Sequence, residues 1–444
     1  MSKAQFAIVS RRVLTAEGIR PAVVLIEDGK IADVTNRAPA GTPIDDVRDD
    51  VVMAGIVDCH VHVNEPGRTE WEGFETATRA AAAGGITTII DMPLNSSPVT
   101  TTLPALEIKL EAAKKKLWVD TAFWGGVVPG NAGSLESMIA AGVRGFKCFL
   151  IHSGINDFPN VTEADLRLAM PILARRHVPL LVHAELECGE SHEWENGARS
   201  YKAFLKSRPR RWENEAIKLM VDLARQYGTA VHIVHLSSSD ALALIAEAKR
   251  SGVSITAETC PHYLTFAAEE IADGDPRFKC APPIRERENR ERLWSAVQDG
   301  TIDFVVSDHS PCRPELKFLS EGDLKRAWGG ISSLQFGLSA VWTEASRRGA
   351  SIQDLSLWMS QKAAAFANLE NRKGRLARGY DADIIVWDPE QKQTIEQSMI
   401  HHRHKLTPYD GRELLGVVKQ TYLRGKKVFD NGKFATAPVG HALL

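Results

Sequence analysis

Between about residue 85 and residue 309, short apolar runs alternate with amphipathic stretches of helical period. "GITTIIDMP" precedes a helix predicted over Leu103 to Leu117, "WVDTAFWGGVV" one over Ser134 to Ala141, and "GFKCFLI" one over Glu163 to Arg176. "VPLLVHAE" is followed by Trp212 to Tyr227 and "TAVHIVHLS" by Asp240 to Ser251, and then "VSITAETCP" and "IDFVVSDH" continue the series. Near-continuous apolar strands separated by helices predict a parallel sheet covered on both faces. About seven or eight such units in roughly 310 residues favour an α/β fold of the (β/α)8 TIM-barrel type over an open doubly wound sheet. The two ends read differently. From Phe6 to about Val52, and again from about Asp381 to Phe434, apolar stretches are punctuated by Gly, Asp and Asn as hairpins are. Chain termini commonly lie close together, so both ends are expected to build one small β-sandwich from residues 1–53 and 372–444, around a barrel of residues 54–371.

Composition narrows the class without naming a chemistry. The 444 residues are 44% hydrophobic and 25% charged, and 54 Lys and Arg against 56 Asp and Glu leave a net charge of -2. That balance offers no electrostatic case for nucleic acid or an anionic membrane, so a small, uncharged or modestly charged substrate is expected. "MSKAQFAIVSRRVL" has no uninterrupted apolar core of a signal peptide, and no run is long enough to suggest a membrane span, so a cytoplasmic protein is expected. The six cysteines are scattered with no CxxC pair, which predicts buried thiols rather than disulfides. No GxGxxG or GxxxxGK[ST] is present, which removes the usual nucleotide readings.

The candidate chemistry lies at strand ends, where barrels of this kind carry it. "GIVDCHVH" ends in Asp58, His60 and His62, and alternate strand residues face the same way, so the two histidines can grip one metal. Later strands supply Lys147, His183, His235 and Asp308. Taken singly, each has an ordinary reading: a hydrogen-bonded core histidine, a helix N-cap, a salt-bridged lysine. Together at one end of one barrel, they point to a divalent-metal site, and their number exceeds what one four-coordinate ion needs, which suggests two ions. Lys147 interrupts an apolar strand. An ammonium cannot ligate a cation, but burial favours the neutral amine, which carbon dioxide converts to a carbamate with an oxygen for each metal. His232 is read as core or a support to the site. His177, His192 and the "HHRH" run (His401, His402, His404) are read as surface.

These stretches resemble the cyclic amidohydrolases of the amidohydrolase superfamily, the group of dihydroorotases, hydantoinases or dihydropyrimidinases, and allantoinases. The matching strings run from "AGIVDCHVH" through "GFKCFLI", "LLVHAE", "HIVHLSS", "ETCPHYL", "KCAPPIR" and "SDHSPC" to "GYDADIIVWDP" and "TPYDG". The resemblance places metal ligands at His60, His62, carboxylated Lys147 (N6-carboxylysine), His183, His235 and Asp308. These ligand types accept zinc, cobalt, manganese, nickel or iron(II), with zinc the first choice for a histidine-rich site, and the resemblance implies a homotetramer or dimer. Dihydroorotases carry an arginine two residues after the second histidine of HxH, where Asn64 stands here. Hydantoinases usually carry a tyrosine and a serine where His152 and Ala281 stand. "NEPGRTEWEGFETATRAAAAGGITT", "DMPLNSSP", "FKCFLIHSG" and "WGGISSLQFGL" resemble the allantoinase branch most closely, although an acidic or small polar residue is expected more readily than His152 in its slot. That branch implies hydrolysis of the ring amide of allantoin to allantoate, with a hydroxide bridging the metals and Asp308 shuttling the proton. Substrate contacts are expected from Asn64, Arg68, His152, His262 and Ser310, and from the backbone around Ala281, Gly330, Ile331 and Ser332. Arg68 has a rival reading as the partner of Glu70 or Glu72, and His262 as a group that orients a metal ligand. A hydantoinase or dihydropyrimidinase activity, or a non-catalytic scaffold role, remains as an alternative.

Overall fold

The computed structural model describes residues 6–189 and 197–444. His192 lies outside them. The chain opens with strands β1 (Phe6–Thr15), β2 (Gly18–Glu27), β3 (Lys30–Thr35), β4 (Ile44–Asp46) and β5 (Val51–Ala54). The parallel series follows as β6 (Ile56–Val61), β7 (Ile86–Asp91), β8 (Asp120–Phe123), β9 (Gly125–Gly126), β10 (Phe146–Phe149), β11 (Leu180–His183), β12 (Val231–Ile233), β13 (Ile255–Thr259) and β14 (Phe304–Val305). Strands β8 and β9 are one barrel strand broken at Trp124: β8 pairs with β7 and β9 with β10. At the other seam Val61 bridges His309, the His62 N–H donates to the His309 carbonyl (2.8 Å), and the Ser307 N–H donates to Asp58 (3.0 Å). The eight strands thus close into the expected (β/α)8 barrel.

The helices show how local sequence sets the elements. The helix Glu163–Arg176 has the limits its period predicts. Thr162 and Asp165 form a capping box, Leu166, Ala169, Met170 and Leu173 bury one face, and His177 ends it in the left-handed region (φ 54°). The helix expected to reach Leu117 stops at Ala113, because Lys115 turns left-handed (φ 62°). Helix Arg210–Tyr227 starts two residues before the predicted Trp212, directly after Pro209. Among the described residues no helix is long and apolar enough to cross a membrane.

Strands β15 (Ile384–Thr394), β16 (Glu413–Leu423), β17 (Lys426–Asp430) and β18 (Lys433–Phe434) return to the first five strands. Val386 of β15 pairs with Val52 of β5, so the nine strands form one sheet that joins the two chain ends, eight in series with β4 branching from β1. It folds over an apolar cluster that includes Ile8, Val24, Ile26, Val52, Ile384, Val386 and Tyr422, with Phe6 stacked on Tyr422 at 6.1 Å. This single sheet, built from both chain ends, stands where the small β-sandwich is expected.

A buried charge cluster fastens this layer to the barrel. Lys373 Nζ reaches Asp383 (2.5 Å), Asp120 at the start of β8 (2.6 Å) and Asp381 (3.0 Å), and Arg424 of the β16–β17 turn also meets Asp120. Burial alone would lower the Lys373 ammonium, but Asp383, Asp120 and Asp381 together raise it. Removing the cation strands Asp383 out of water and takes one counter-charge from Asp120 and Asp381, which keep Arg424 and the Lys30–Arg372 pair respectively. Lys373→Met is therefore expected to cost about 3–5 kcal/mol of unfolding free energy, read from denaturant titration, whereas a loss under about 1 kcal/mol would contradict this fastening.

Candidate metal centre

Alternation along β10 sends Phe146 and Cys148 into the large apolar core and Lys147 and Phe149 to a cavity of about 550 Å3 at the C-terminal ends of the strands. His60, His62, His183, His235 and Asp308 line the same cavity. The Nε2 atoms of His60 and His62 lie 3.2 and 3.7 Å from Asp308 Oδ1, while His183 Nδ1 faces His235 Nε2 at 2.9 Å. The His60 ring lies 5.4 Å from that of His62 and 5.4 Å from that of His235, so the two groups adjoin. His235 and Asp308 hold left-handed backbone (φ 39° and 44°), a conformation that costs of order 1–3 kcal/mol and concentrates at functional sites.

The donor set suits divalent metals. Lys147 Nζ is buried without a hydrogen-bond partner, an arrangement that is costly for an ammonium and suited to a group modified or engaged by something else. Burial lowers the Lys147 amine to about 8, against the pull of Glu258 and Asp308. Burial also lowers all four histidines, His183 to about 4, and the Lys147 charge adds to the effect in each, so their nitrogens are neutral ligands. Asp308 is raised by burial, which an adjacent divalent cation would reverse.

Two carboxylates orient the rings, and neither was among the residues singled out from the sequence. Glu258 on β13 accepts from His60 Nδ1 (2.5 Å) and His232 Nε2 (3.0 Å). Burial alone would raise its carboxyl, but His60 and His232 outweigh this and hold it down to about 2. Glu185 accepts from His183 Nε2 (2.7 Å) and is itself clamped by Arg208 (2.9 and 2.5 Å), which keeps it ionised although buried. With those ring protons committed outward, His60 Nε2 and His183 Nδ1 turn their lone pairs to the cavity. Asp58 serves the frame instead, accepting from the backbone of His60 and Ser307 (3.0 Å each).

The expected substrate contacts divide. His152, Ala281 and Ser310 line the cavity. Asn64, Arg68, His262, Gly330, Ile331 and Ser332 are not brought to its wall. Asn64 is buried in left-handed backbone and donates to the Pro311 carbonyl (3.2 Å). Arg68 pairs with neither Glu70 nor Glu72. It donates to the Asn95 carbonyl (2.7 Å) and to Asp157 (3.1 Å), bracing the loop after β6. His262 is carried inward by the short helix Pro261–Thr265, packs on Tyr263, and lies with Cys260 beside Asp308. In the 330–332 stretch the Gly330 N–H is committed to the Lys279 carbonyl, the Ile331 carbonyl to Ser310, and the Ser332 carbonyl to Thr407. The wall is completed instead by residues including Asn95, Arg208, Trp328 and Gly329. The "HHRH" run is only partly surface. His402 is fully buried against His309, whose Nε2 faces Glu72 at 3.4 Å.

Comparison with known proteins agrees with this geometry. The chain is 48% identical to the allantoinase of Streptomyces avermitilis over 100% of its own length and 99% of that protein's. It is 42% identical to the allantoinase of Saccharomyces cerevisiae over 99% and 98%. The structure superposes on L-hydantoinase (dihydropyrimidinase) from Arthrobacter aurescens with a TM-score of 0.90 at 30% identity, covering 99% of both chains. The profile of the Amidohydrolase family matches residues 51–428, from the last strand before the barrel to the β17 hairpin. With that span and those full-length identities, the chain belongs to the amidohydrolase family.

Proposed function

We propose that this protein is a metal-dependent cyclic amidohydrolase that opens the ring amide of allantoin to give allantoate. One observation carries the reading: four neutral histidines, an acid and a buried lysine without a hydrogen-bond partner converge in one cavity, on a chain similar over its whole length to allantoinases. His60, His62 and Asp308 would hold one ion and His183 and His235 the other, with Lys147, carboxylated by carbon dioxide, between them. Bound divalent ions, zinc foremost, supply an acidified water and a polarised carbonyl. Asp308 then takes the proton of the attacking water and delivers it to the departing ring nitrogen as the C–O bond forms and the C–N bond breaks. Glu258 and Glu185 keep His60 and His183 in the tautomers this needs. His152, Ser310 and the backbone at Ala281 face a neutral ring rich in amide donors and acceptors, which a polar wall can read. The family resemblance supports a homo-oligomer, tetramer or dimer, and the N-terminal sequence, without an apolar signal core, supports a cytoplasmic location.

The superposition on hydantoinases favours a second reading, hydrolysis of unsubstituted hydantoins or dihydropyrimidines. A panel of allantoin, hydantoin, dihydrouracil and dihydroorotate decides between them when combined with metal analysis. The expected result is kcat/KM on allantoin about 10²-fold or more above the others, in a protein holding about two metal equivalents per chain. Equal or better turnover of hydantoin would sink the allantoinase reading. Absence of bound metal together with absence of turnover would support the scaffold alternative.

A further inference from the structure

We propose that Lys317 is a built-in cation that holds the substrate-facing wall of the cavity in shape, a positioning role outside the metal centre. This rests on the cavity being the site of cyclic-amide hydrolysis.

Lys317 ends a short 3-10 turn, Pro314–Lys317, and is 4% exposed. Its Nζ donates to four backbone carbonyls: Gly330 (2.6 Å), Trp328 (2.9 Å), Pro276 (3.2 Å) and Lys279 (3.3 Å). Burial lowers the Lys317 ammonium, against the pull of Cys312, Cys280 and Asp275, and Asp275 is itself paired with Arg277. An ammonium has three donors and no acceptor, so a cage made only of carbonyl oxygens fits the charged form, with one N–H shared between two of the four. Such a cage resembles a site for a hard monovalent cation, with the ion tethered by a side chain.

The four carbonyls belong to two chain segments about fifty residues apart, 276–279 and 328–330. Both run directly into the cavity wall, one at Lys279 and Ala281, the other at Trp328 and Gly329. The segments also touch directly through the Gly330 N–H to Lys279 carbonyl bond (2.9 Å), and Lys279 Nζ reaches across to the Ala327 carbonyl (2.5 Å). The junction has little slack, since a Cβ on Gly330 would fall 2.2 Å from the Ser310 carbonyl oxygen. Without a cation, four carbonyl dipoles converge oxygen to oxygen and repel, so the segments part and the wall loosens. Lys317 meets none of the six candidate metal ligands. Its loss should weaken substrate binding while leaving the chemistry in place.

The test compares wild type, Lys317→Met and Lys317→Ala as purified metal-loaded proteins. In both variants KM for allantoin is expected to rise about tenfold or more, with kcat within about threefold of wild type and metal content unchanged. Propylammonium, the fragment missing from Lys317→Ala, should lower that variant's KM, and propan-1-ol should not. Amide hydrogen exchange at Trp328 and Gly330 should quicken in Lys317→Met, a readout that needs no substrate and stands even if wild type proves inactive on allantoin. Unchanged KM with unchanged exchange would overturn the proposal. So would a parallel fall of kcat and metal content, rescue by the alcohol as good as by the amine, or failure to recover either variant folded, which would make Lys317 a requirement of the fold alone.

Discussion

Lys147→Ala is expected to lose bound metal and at least about three orders of magnitude of turnover, since outer partners of metal ligands alone typically cost 10–100-fold. β10 is a fully buried strand in which Lys147 is the one basic side chain, and its Nζ has no hydrogen-bond partner. A bridging carboxylate made from this amine would serve both halves of the centre at once, so truncation removes a ligand from each. Acetate and propionate, which can enter the vacated space and offer two oxygens, should restore part of the metal content and activity. A variant with full activity and full metal would rule out the bridging role. The metal-free wild type adds a pH arm. With its amine lowered to about 8, about a tenth of Lys147 is neutral at pH 7, compared with under about 0.1% for an unperturbed lysine. The neutral form grows as pH rises and is the form that combines with carbon dioxide. Reactivation of metal-free protein by zinc at a fixed partial pressure of carbon dioxide should therefore accelerate up to about pH 8 and level off above it.

Much of this architecture was legible because its signals are local. The strand–helix alternation, the polar residues at strand ends and the hairpin style of both termini are each contained in a dozen residues or fewer. What escaped is held by contacts between distant residues. Glu258 meets His60 across 198 positions, and Lys317 binds carbonyls 38 to 41 residues before it and 11 to 13 after it. A signal for Glu258 did exist, since an acid inside "ITAET" is the same kind of anomaly as a lysine inside "GFKCFLI". Asn64 and His262 lie off the cavity wall for one physical reason. Proximity in sequence to a strand end was read as proximity to the cavity, but a strand end is followed by a turn. Turns such as those holding Asn64 in left-handed backbone, or carrying His262 into a short helix, aim a side chain inward. In the 330–332 stretch the Gly330 N–H and the Ile331 and Ser332 carbonyls are engaged by Lys279, Ser310 and Thr407.

Asp308→Asn is expected to lower kcat by about 10²- to 10⁴-fold, the usual contribution of a positioned acid–base group, while the protein keeps its fold and at least one metal equivalent. The substitution separates two duties of one side chain. Asn retains an oxygen where Asp308 Oδ1 lies 3.2 Å from His60 Nε2, so part of the coordinating capacity survives, but an amide cannot take a proton from water and return it to nitrogen. The backbone favours the exchange. Asp308 sits at φ 44°, and asparagine is among the few residues that enter the left-handed region readily, so the local turn should not relax. A loss of turnover with unchanged thermal unfolding and measurable metal therefore isolates the proton transfer. The pH profile sharpens the point. The ionised carboxylate is the working base, so wild-type kcat should fall as pH drops through the pKa of Asp308 in the metal-loaded protein. Asparagine has nothing to titrate there, and the variant's residual rate should lose that acid limb. A variant that turns over allantoin at the wild-type rate, or that keeps the same acid limb, would remove Asp308 from the proton path.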